Sequence, residues 1–469
     1  MQNASAPTPG GQLQRRLGTF SAISITVGAV IGSGVFLKPL EISQALPHEG
    51  WIHLFWAGLG IVCLCGAFAY AELGAAFPQA GGQYAFLREA WGAMPAFLYG
   101  WVFFWAINSG TIAALASAFA EYVLPWFGVP LDEATKGLTG KLAACGMILV
   151  LACVNHFGVV LGALVQNLST FAKLAALVLI ALAGLLVAGG ASTSTTLPVA
   201  DSAAATTLSL GGVVSAFLAI FWAYEGWYQL PFNAAELKDP NRALPRGLIG
   251  GMLILIAIYV AVNVTYLHVV PFDEMRELGE DKSRVASLTI GRVFGEGFGS
   301  GLTLLVALSV FGAANPNFLS SPRGFYAMAE DGLMPRALIR VHPRWGTPTV
   351  SIWLQALWSA ALIFLVPTFG SLSDFVVFAA FLFYGLTVAG VWRLRQTRPD
   401  LPRPYRCTGY PVTPAIFVVV SVLFVGALLT QPAERDNALK GLAVLATGIV
   451  AWYLWARDRL APHLRSPQR

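Results

Sequence analysis

Apolar positions in this chain fall into long continuous runs, and the stretches between them are short and polar. Twelve such runs stand out, at approximately 18–44, 52–76, 95–124, 140–158, 161–188, 209–234, 247–270, 298–328, 349–367, 373–394, 412–430 and 439–456. A helix needs roughly 20 residues to cross a hydrocarbon core about 30 Å thick, and most of the runs meet that length. Backbone N–H and C=O groups inside lipid must find partners within their own segment, so the runs are helices and not open strands. The pattern predicts an all-α membrane protein with twelve transmembrane helices. Met1 to Gln14 is polar and rich in proline and glycine. The apolar run that follows is longer than the core of a cleavable signal, so it is expected to remain as the first span.

Composition supports the pattern. The chain is 56% hydrophobic and only 11% charged, whereas about a quarter of a soluble domain is charged. Its net charge of +5 reflects topology and gives no reason to expect nucleic acid. With twelve spans both termini share a side, and the segments on that side hold nineteen of the 29 Lys and Arg residues. Nine lie on the opposite side, and Lys173 falls within a span. The positive-inside rule then places both ends in the cytoplasm, and the protein is expected in the cell inner (plasma) membrane. The five cysteines place no pair in an outward-facing loop, so no structural disulfide is expected. The sequence shows no metal-ligand spacing and no phosphate-binding glycine loop, so no cofactor and no direct use of ATP are expected.

Two spans carry residues that disfavour a continuous helix. The first contains Val27 to Phe36, with Gly28, Gly32 and Gly34 near mid-span. Each glycine costs about 1 kcal/mol relative to alanine in a helix, so the cluster eases unwinding, and an unwound turn presents amide N–H groups and a positive helix end to an anion. Close helix packing also places small residues at this spacing. The sixth span places Glu225 and Gly226 among Trp222, Tyr224 and Trp227. An ionisable group at mid-membrane costs at least about 2.5 kcal/mol, which makes Glu225 a functional candidate. Interruptions in spans one and six are what an inverted repeat of five plus five helices produces, with a site at the repeat interface and two helices added. On that reading residues 1–17 are a cytoplasmic tail, 18–458 the transporter domain and 459–469 a second tail. The repeats fall at about 18–188 and 209–394, and the added helices at about 412–456.

Four groups of residues, in order along the chain, carry a resemblance. The first is Gly32-Ser33-Gly34-Val35-Phe36. The second is Ala71-Glu72-Leu73 with Pro78, Ala80-Gly81-Gly82 and Tyr84. The third is Trp222-Ala223-Tyr224-Glu225-Gly226-Trp227, followed by Glu236-Leu237-Lys238-Asp239-Pro240 and Leu244-Pro245. The fourth is Phe311-Gly312-Ala313-Ala314-Asn315, with Ser321-Pro322-Arg323 and Asp331-Gly332-Leu333-Met334-Pro335. Together they resemble the amino acid, polyamine and organocation superfamily of secondary transporters, and within it the L-type amino acid transporters. The resemblance implies alternating access and sodium-independent movement of L-amino acids, by exchange or with protons. It also implies that the substrate carboxylate meets amides around Ser33 and Gly34, and that the amino group meets carbonyls near Ile31 and Trp222. Trp222 takes the place of an aromatic gate. Lys173 takes that of a fifth-helix lysine whose ammonium stands where sodium-coupled relatives hold sodium. The alternative reading of Lys173 is a lysine snorkelling to the cytoplasmic interface, since Asn167 lies about 9 Å below it along the helix.

Several readings stay open at this point. Glu225 stands where many eukaryotic members have a small residue, and it either favours cationic substrates, carries a proton or caps the lower half-helix. Tyr228 stands where some members have a polar amide. Asn315-Pro316-Asn317 either lines the pathway or satisfies freed backbone groups. Glu236 forms a gate with Arg242 or Arg323, or a solvated loop pair. The outer loop from Pro125 to Gly140 lacks the cysteine by which animal members attach a heavy chain, so no disulfide-linked heavy chain is expected. Polyamine transport is the nearest rival function. A membrane-embedded enzyme would need a nucleophile with a base, or a metal cluster, at mid-depth, and no histidine lies at a span centre.

Overall fold

The computed structural model describes residues 13–188, 207–278, 284–295, 298–366 and 369–465. Most of the polar N-terminal tail and the last four residues lie outside that range. Among the described residues the chain is helical, and its one β-bridge joins Leu17 to Leu237. Ten helices are long and apolar enough to cross a membrane by themselves. An eleventh span is a bent pair, Thr19–Val30 and Gly34–Ala45, meeting at 40°. The twelfth, Thr349–Leu365, has 17 residues, about 25 Å of helix, the lower end of spanning length. Each of the twelve apolar runs thus corresponds to one helix or one broken helix.

The spans used below are span 1 (the bent pair), span 2 (Glu49–Ala76), span 3 (Ala93–Phe127), span 4 (Leu138–His156) and span 5 (Val159–Gly184). They continue with span 6 (Leu210–Glu236), span 7 (Pro240–Val269), span 8 (Leu304–Glu330), span 9 (Thr349–Leu365) and span 10 (Val376–Thr397). Spans 11 and 12 are Val412–Thr430 and Arg435–Arg459.

The neighbours of each span reveal the internal symmetry. Spans 2, 3 and 4 pack on spans 7, 8 and 9 respectively. The contact of span 1 with span 7 has its counterpart in that of span 6 with span 2, and span 5 on span 8 in span 10 on span 3. Exchanging spans 1–5 for spans 6–10 therefore returns each of these pairings, as a five-plus-five repeat requires. Spans 11 and 12 stand outside the exchange, against spans 2, 3 and 10. In span 3, 83% of the apolar window is buried, against 22% in span 12. Span 3 is thus core, and span 12 faces lipid.

The two described ends of the chain meet one face of the molecule. Arg16 and Leu17 donate their N–H groups to the Glu236 carbonyl at 2.9 Å, and Lys238 donates back to Leu17. Near the other end, the Ala461 N–H donates to the Asp331 carbonyl at 2.9 Å. This face carries the arginine-rich loops.

Candidate functional site

The first half of span 1 ends at Ile31, which leaves the helical region at φ −70°, ψ 89°. A new helix begins at Gly34 with Ser33 before it. In span 6 the helix ends at Tyr224, Glu225 is extended, and Gly226 takes φ +107°. That left-handed value is open to glycine and strained for other residues. The chain resumes as a tighter 3₁₀ turn over Trp227–Glu236.

The two breaks lie against each other, backbone on backbone. A Cβ at Gly34 would stand 2.5 Å from Cα of Ala223, and one at Gly226 would stand 2.8 Å from the Ala29 carbonyl oxygen. Each break thus supplies the glycine that lets the other approach, and close packing and unwinding, posed as alternatives by the sequence, occur together.

Breaking a helix frees carbonyls at one end and amides at the other. The carbonyls are accounted for. The Lys173 ammonium, fully buried, donates to the carbonyls of Gly28 at 2.8 Å, Ile31 at 2.6 Å and Ser309 at 3.3 Å. All three of its protons are used. Snorkelling is therefore not its role, because the side chain points at the break in span 1. The Ser309 hydroxyl lies near the Gly32 carbonyl at 3.0 Å, and the Tyr259 hydroxyl reaches both Val30 and Ala223 carbonyls at 3.1 Å. The amides of Gly34 and Val35 head the restarted helix, where geometry leaves them without an intrahelical acceptor. The Ser33 hydroxyl beside them is buried and has no hydrogen-bond partner in the protein.

Between the breaks lies a cavity of about 20 Å³, lined by Ser33, Gly34, Thr111, Trp222, Glu225, Tyr228, Gln229 and Asn317, with glycines and aliphatic residues completing it. That volume holds one water, so in this conformation the cavity is closed to any larger solute. Glu225 accepts a hydrogen bond from the Tyr384 hydroxyl at 2.6 Å, which joins the break in span 6 to span 10. On the polar side of the cavity the Gln229 amide donates to the Asn317 side-chain oxygen at 2.7 Å, and Ser321 donates to Asn108 at 2.6 Å.

Of the candidates named from the sequence, Ser33, Gly34, Trp222 and Glu225 line this cavity. Ile31 contributes a carbonyl that Lys173 already occupies, with the Ser309 hydroxyl 3.3 Å away. Asn315 does not line it. Its amide donates to the Gly162 carbonyl and Gln166, and its oxygen accepts from Asn155 at 2.8 Å. Two residues turn a helix through about 200°, so Asn317 faces the cavity while Asn315 faces spans 4 and 5. The sequence reading named Asn317 only as part of the run it shares with Asn315, and it missed Thr111, Gln229, Ser309, Tyr259 and Tyr384. None of the missed residues had a local signal.

The arginine-rich side is closed below the cavity. Arg323 pairs with Glu236 through two hydrogen bonds, at 2.9 and 3.0 Å, with the side chains 1% and 0% exposed. Asn233 donates to the same carboxylate and accepts from Ser320. The solvated reading of Glu236 is overturned, because it is Arg242 that forms the exposed pair, with Asp239 at 3.7 Å. Removing one partner of a buried ion pair costs about 3–5 kcal/mol. Arg323→Ala is expected to lower the unfolding temperature of the purified protein and slow transport more than tenfold. Lys136→Ala, which breaks an exposed pair, is expected to do neither, and equal behaviour of the two variants would remove the closure role.

All five cysteines are free. The sequence pattern of the amino acid permease family matches residues 17–452. The b(0,+)-type amino acid transporter 1 of Homo sapiens is 33% identical over 444 residues, covering 94% of this chain and 88% of that protein. The serine/threonine exchanger SteT of Bacillus subtilis (strain 168) is 31% identical, covering 94% of this chain and 97% of its own. The large neutral amino acids transporter small subunit 2 of Mus musculus is 30% identical, covering 96% and 83%. With twelve spans, two breaks facing one cavity and a family match over nearly its whole length, the chain belongs to the amino acid permease family and is a multi-span membrane transporter of amino acids.

Proposed function

We propose that the protein exchanges L-amino acids across the plasma membrane by alternating access, without sodium, with both termini in the cytoplasm. The observation that carries this reading is the buried Lys173 ammonium, which donates to three carbonyls around the broken span 1. A fixed positive charge bound to those oxygens does what a bound metal cation would do there, so the break is held open without an ion from solution. The α-carboxylate then meets the amides of Gly34 and Val35 and the unpartnered Ser33 hydroxyl, at the positive end of the restarted helix. The Tyr259 hydroxyl has one proton for the two carbonyls of Val30 and Ala223, so one of them stays available to the α-amino group once the repeats move apart. The arginine excess on the face shared by the two ends favours a cytoplasmic placement of that face.

A second copy of the substrate on the far side is what drives an exchanger, and the serine/threonine exchanger named above sets the precedent. The test is counterflow in proteoliposomes loaded with one unlabelled L-amino acid, in sodium-free buffer. Labelled substrate should accumulate transiently. No accumulation without sodium would overturn the reading, and uptake of diamines lacking a carboxylate would favour polyamine transport. We further propose that no disulfide-linked heavy chain is needed, since the loop Pro125 to Gly140 has no cysteine; activity of the purified chain alone tests this.

Glu225 sets the side-chain preference in this proposal. It lines the cavity, where the Tyr384 hydroxyl donates to it at 2.6 Å and the Tyr228 hydroxyl also interacts with it, so a cationic side chain would compete with Tyr228 for the carboxylate. Arginine and lysine are expected to compete with neutral amino acids. A hydrogen bond to a charged group contributes about 1.5–3 kcal/mol, so Glu225→Gln should weaken the cationic substrates at least tenfold and spare alanine or leucine. Equal losses for both classes, with any pH dependence retained, would leave only a capping role. Loss of coupling to an imposed pH gradient for every substrate would make Glu225 a proton carrier.

A further inference from the structure

A groove of about 480 Å³ runs down the arginine-rich end of span 7, between that helix and Pro404 and Tyr405 of the loop before span 11. Its helical wall changes character with depth. Asn241, Arg242 and Arg246 line the outer part, and Ile249, Gly250 and Leu253 line the inner part. Positions 242, 246, 249 and 253 recur every three or four residues and so form one stripe, about 16 Å long. A Cβ at Gly250 would meet nothing within 4 Å, so the groove is open there. Leu253 is 53% exposed. Arg242 has only the exposed contact with Asp239 at 3.7 Å, a pairing that contributes little. A larger cavity beside the helix Gln83–Trp91 is less suited to an anion, because its Arg88 and Arg398 are already tied to Asp331 and Glu89.

A small soluble anion would use only the arginine end of the span 7 groove, and a neutral lipid only its apolar end. We propose that the groove binds one anionic phospholipid, with its phosphate between Arg242 and Arg246 and an acyl chain along Ile249, Gly250 and Leu253. Charge complementarity selects the headgroup, and the apolar floor selects a lipid over a free phosphate ester. Span 7 begins at Pro240, four residues beyond Glu236, so the occupant braces the helix that follows the Arg323–Glu236 closure. The proposal does not depend on exchange; it depends on this face meeting a leaflet that contains anionic lipid.

The test is binding to the purified full-length protein in detergent, read by native mass spectrometry, with phosphatidylglycerol, phosphatidylcholine and glycerol phosphate as probes. One phosphatidylglycerol should be retained in preference to phosphatidylcholine, and glycerol phosphate should not displace it. Two surface arginines contribute about five-fold each, so the double variant Arg242→Ala/Arg246→Ala should bind about twenty-five-fold more weakly. Gly250→Leu fills the groove without changing any charge and should also release the lipid. Unfolding temperature without added lipid serves as the folding control for both variants. Equal retention of the two lipids, or retention by Gly250→Leu, would overturn the proposal. Displacement by glycerol phosphate would also overturn it, in favour of a phosphate site with no acyl component.

Discussion

Replacing Lys173 by alanine is expected to abolish transport in proteoliposomes. The variant leaves the carbonyls of Gly28, Ile31 and Ser309 buried and without the ammonium that binds them. A buried acceptor without its partner costs about 1–3 kcal/mol. Ser309 keeps its helical partner within span 8, but Gly28 and Ile31 lie at the break, and two such losses, about 4 kcal/mol at mid-range, exceed the roughly 2.7 kcal/mol that corresponds to a hundredfold change. Lys173→Met, which nearly preserves length and apolar volume but donates nothing, should fail in the same way, which separates the charge from simple filling of space. Wild-type transport should run unchanged when sodium is replaced by choline. Strict sodium dependence of the wild type, or near-normal transport by Lys173→Met, would remove Lys173 from the coupling role.

The second large effect is expected at Gly34. Its missing side chain is what lets the broken span 1 rest on Ala223 of span 6, since a Cβ would lie 2.5 Å from one backbone atom and 2.7 Å from the Ala223 Cβ. Neither neighbour can rotate away, so even a methyl group must push the two spans apart. Overpacking of this kind costs about 1–3 kcal/mol, and here it acts on the turn whose amides would bind the carboxylate. Gly34→Ala should weaken substrate affinity at least tenfold, and Gly34→Leu should abolish binding while the protein still expresses. Gly58→Ala, where a Cβ meets nothing within 4 Å, is the control and should bind as the wild type does. Unchanged affinity in purified Gly34→Leu would move the carboxylate site elsewhere.

These two residues differ in how far the sequence revealed them. Gly34 belongs to a glycine cluster inside an apolar run, and both the run and its weak point are local properties of the chain. The twelve spans were legible for the same reason. Lipid requires about 20 apolar residues with internally satisfied backbone, and that demand is written on consecutive positions. The interruption at Glu225 and Gly226 was equally local, because a charge and a glycine in one apolar run mark where a helix yields.

Whatever depended on rotation about a helix axis, or on which helix stands beside which, required the tertiary structure. Lys173 was visible as a lysine in a span, but only the approach of span 5 to the break in span 1 directs its ammonium away from the interface. Asn315 and Asn317 are two residues apart in the chain, and helical rotation sends one to spans 4 and 5 and the other to the cavity. Tyr259 and Tyr384 carry no sequence signal, since a tyrosine that bonds a freed carbonyl reads like any tyrosine in a membrane helix. Glu236 and Arg323 lie 87 positions apart, one just past an apolar run and the other near the end of another, and nothing local shows that packing buries both. The sequence by itself determined where the chain enters lipid and where its helices give way, because both follow from the chemistry of neighbouring residues. The tertiary structure alone decided which groups meet at the breaks, because those partners come from spans 5, 7, 8 and 10, and their meeting is a property of how helices pack.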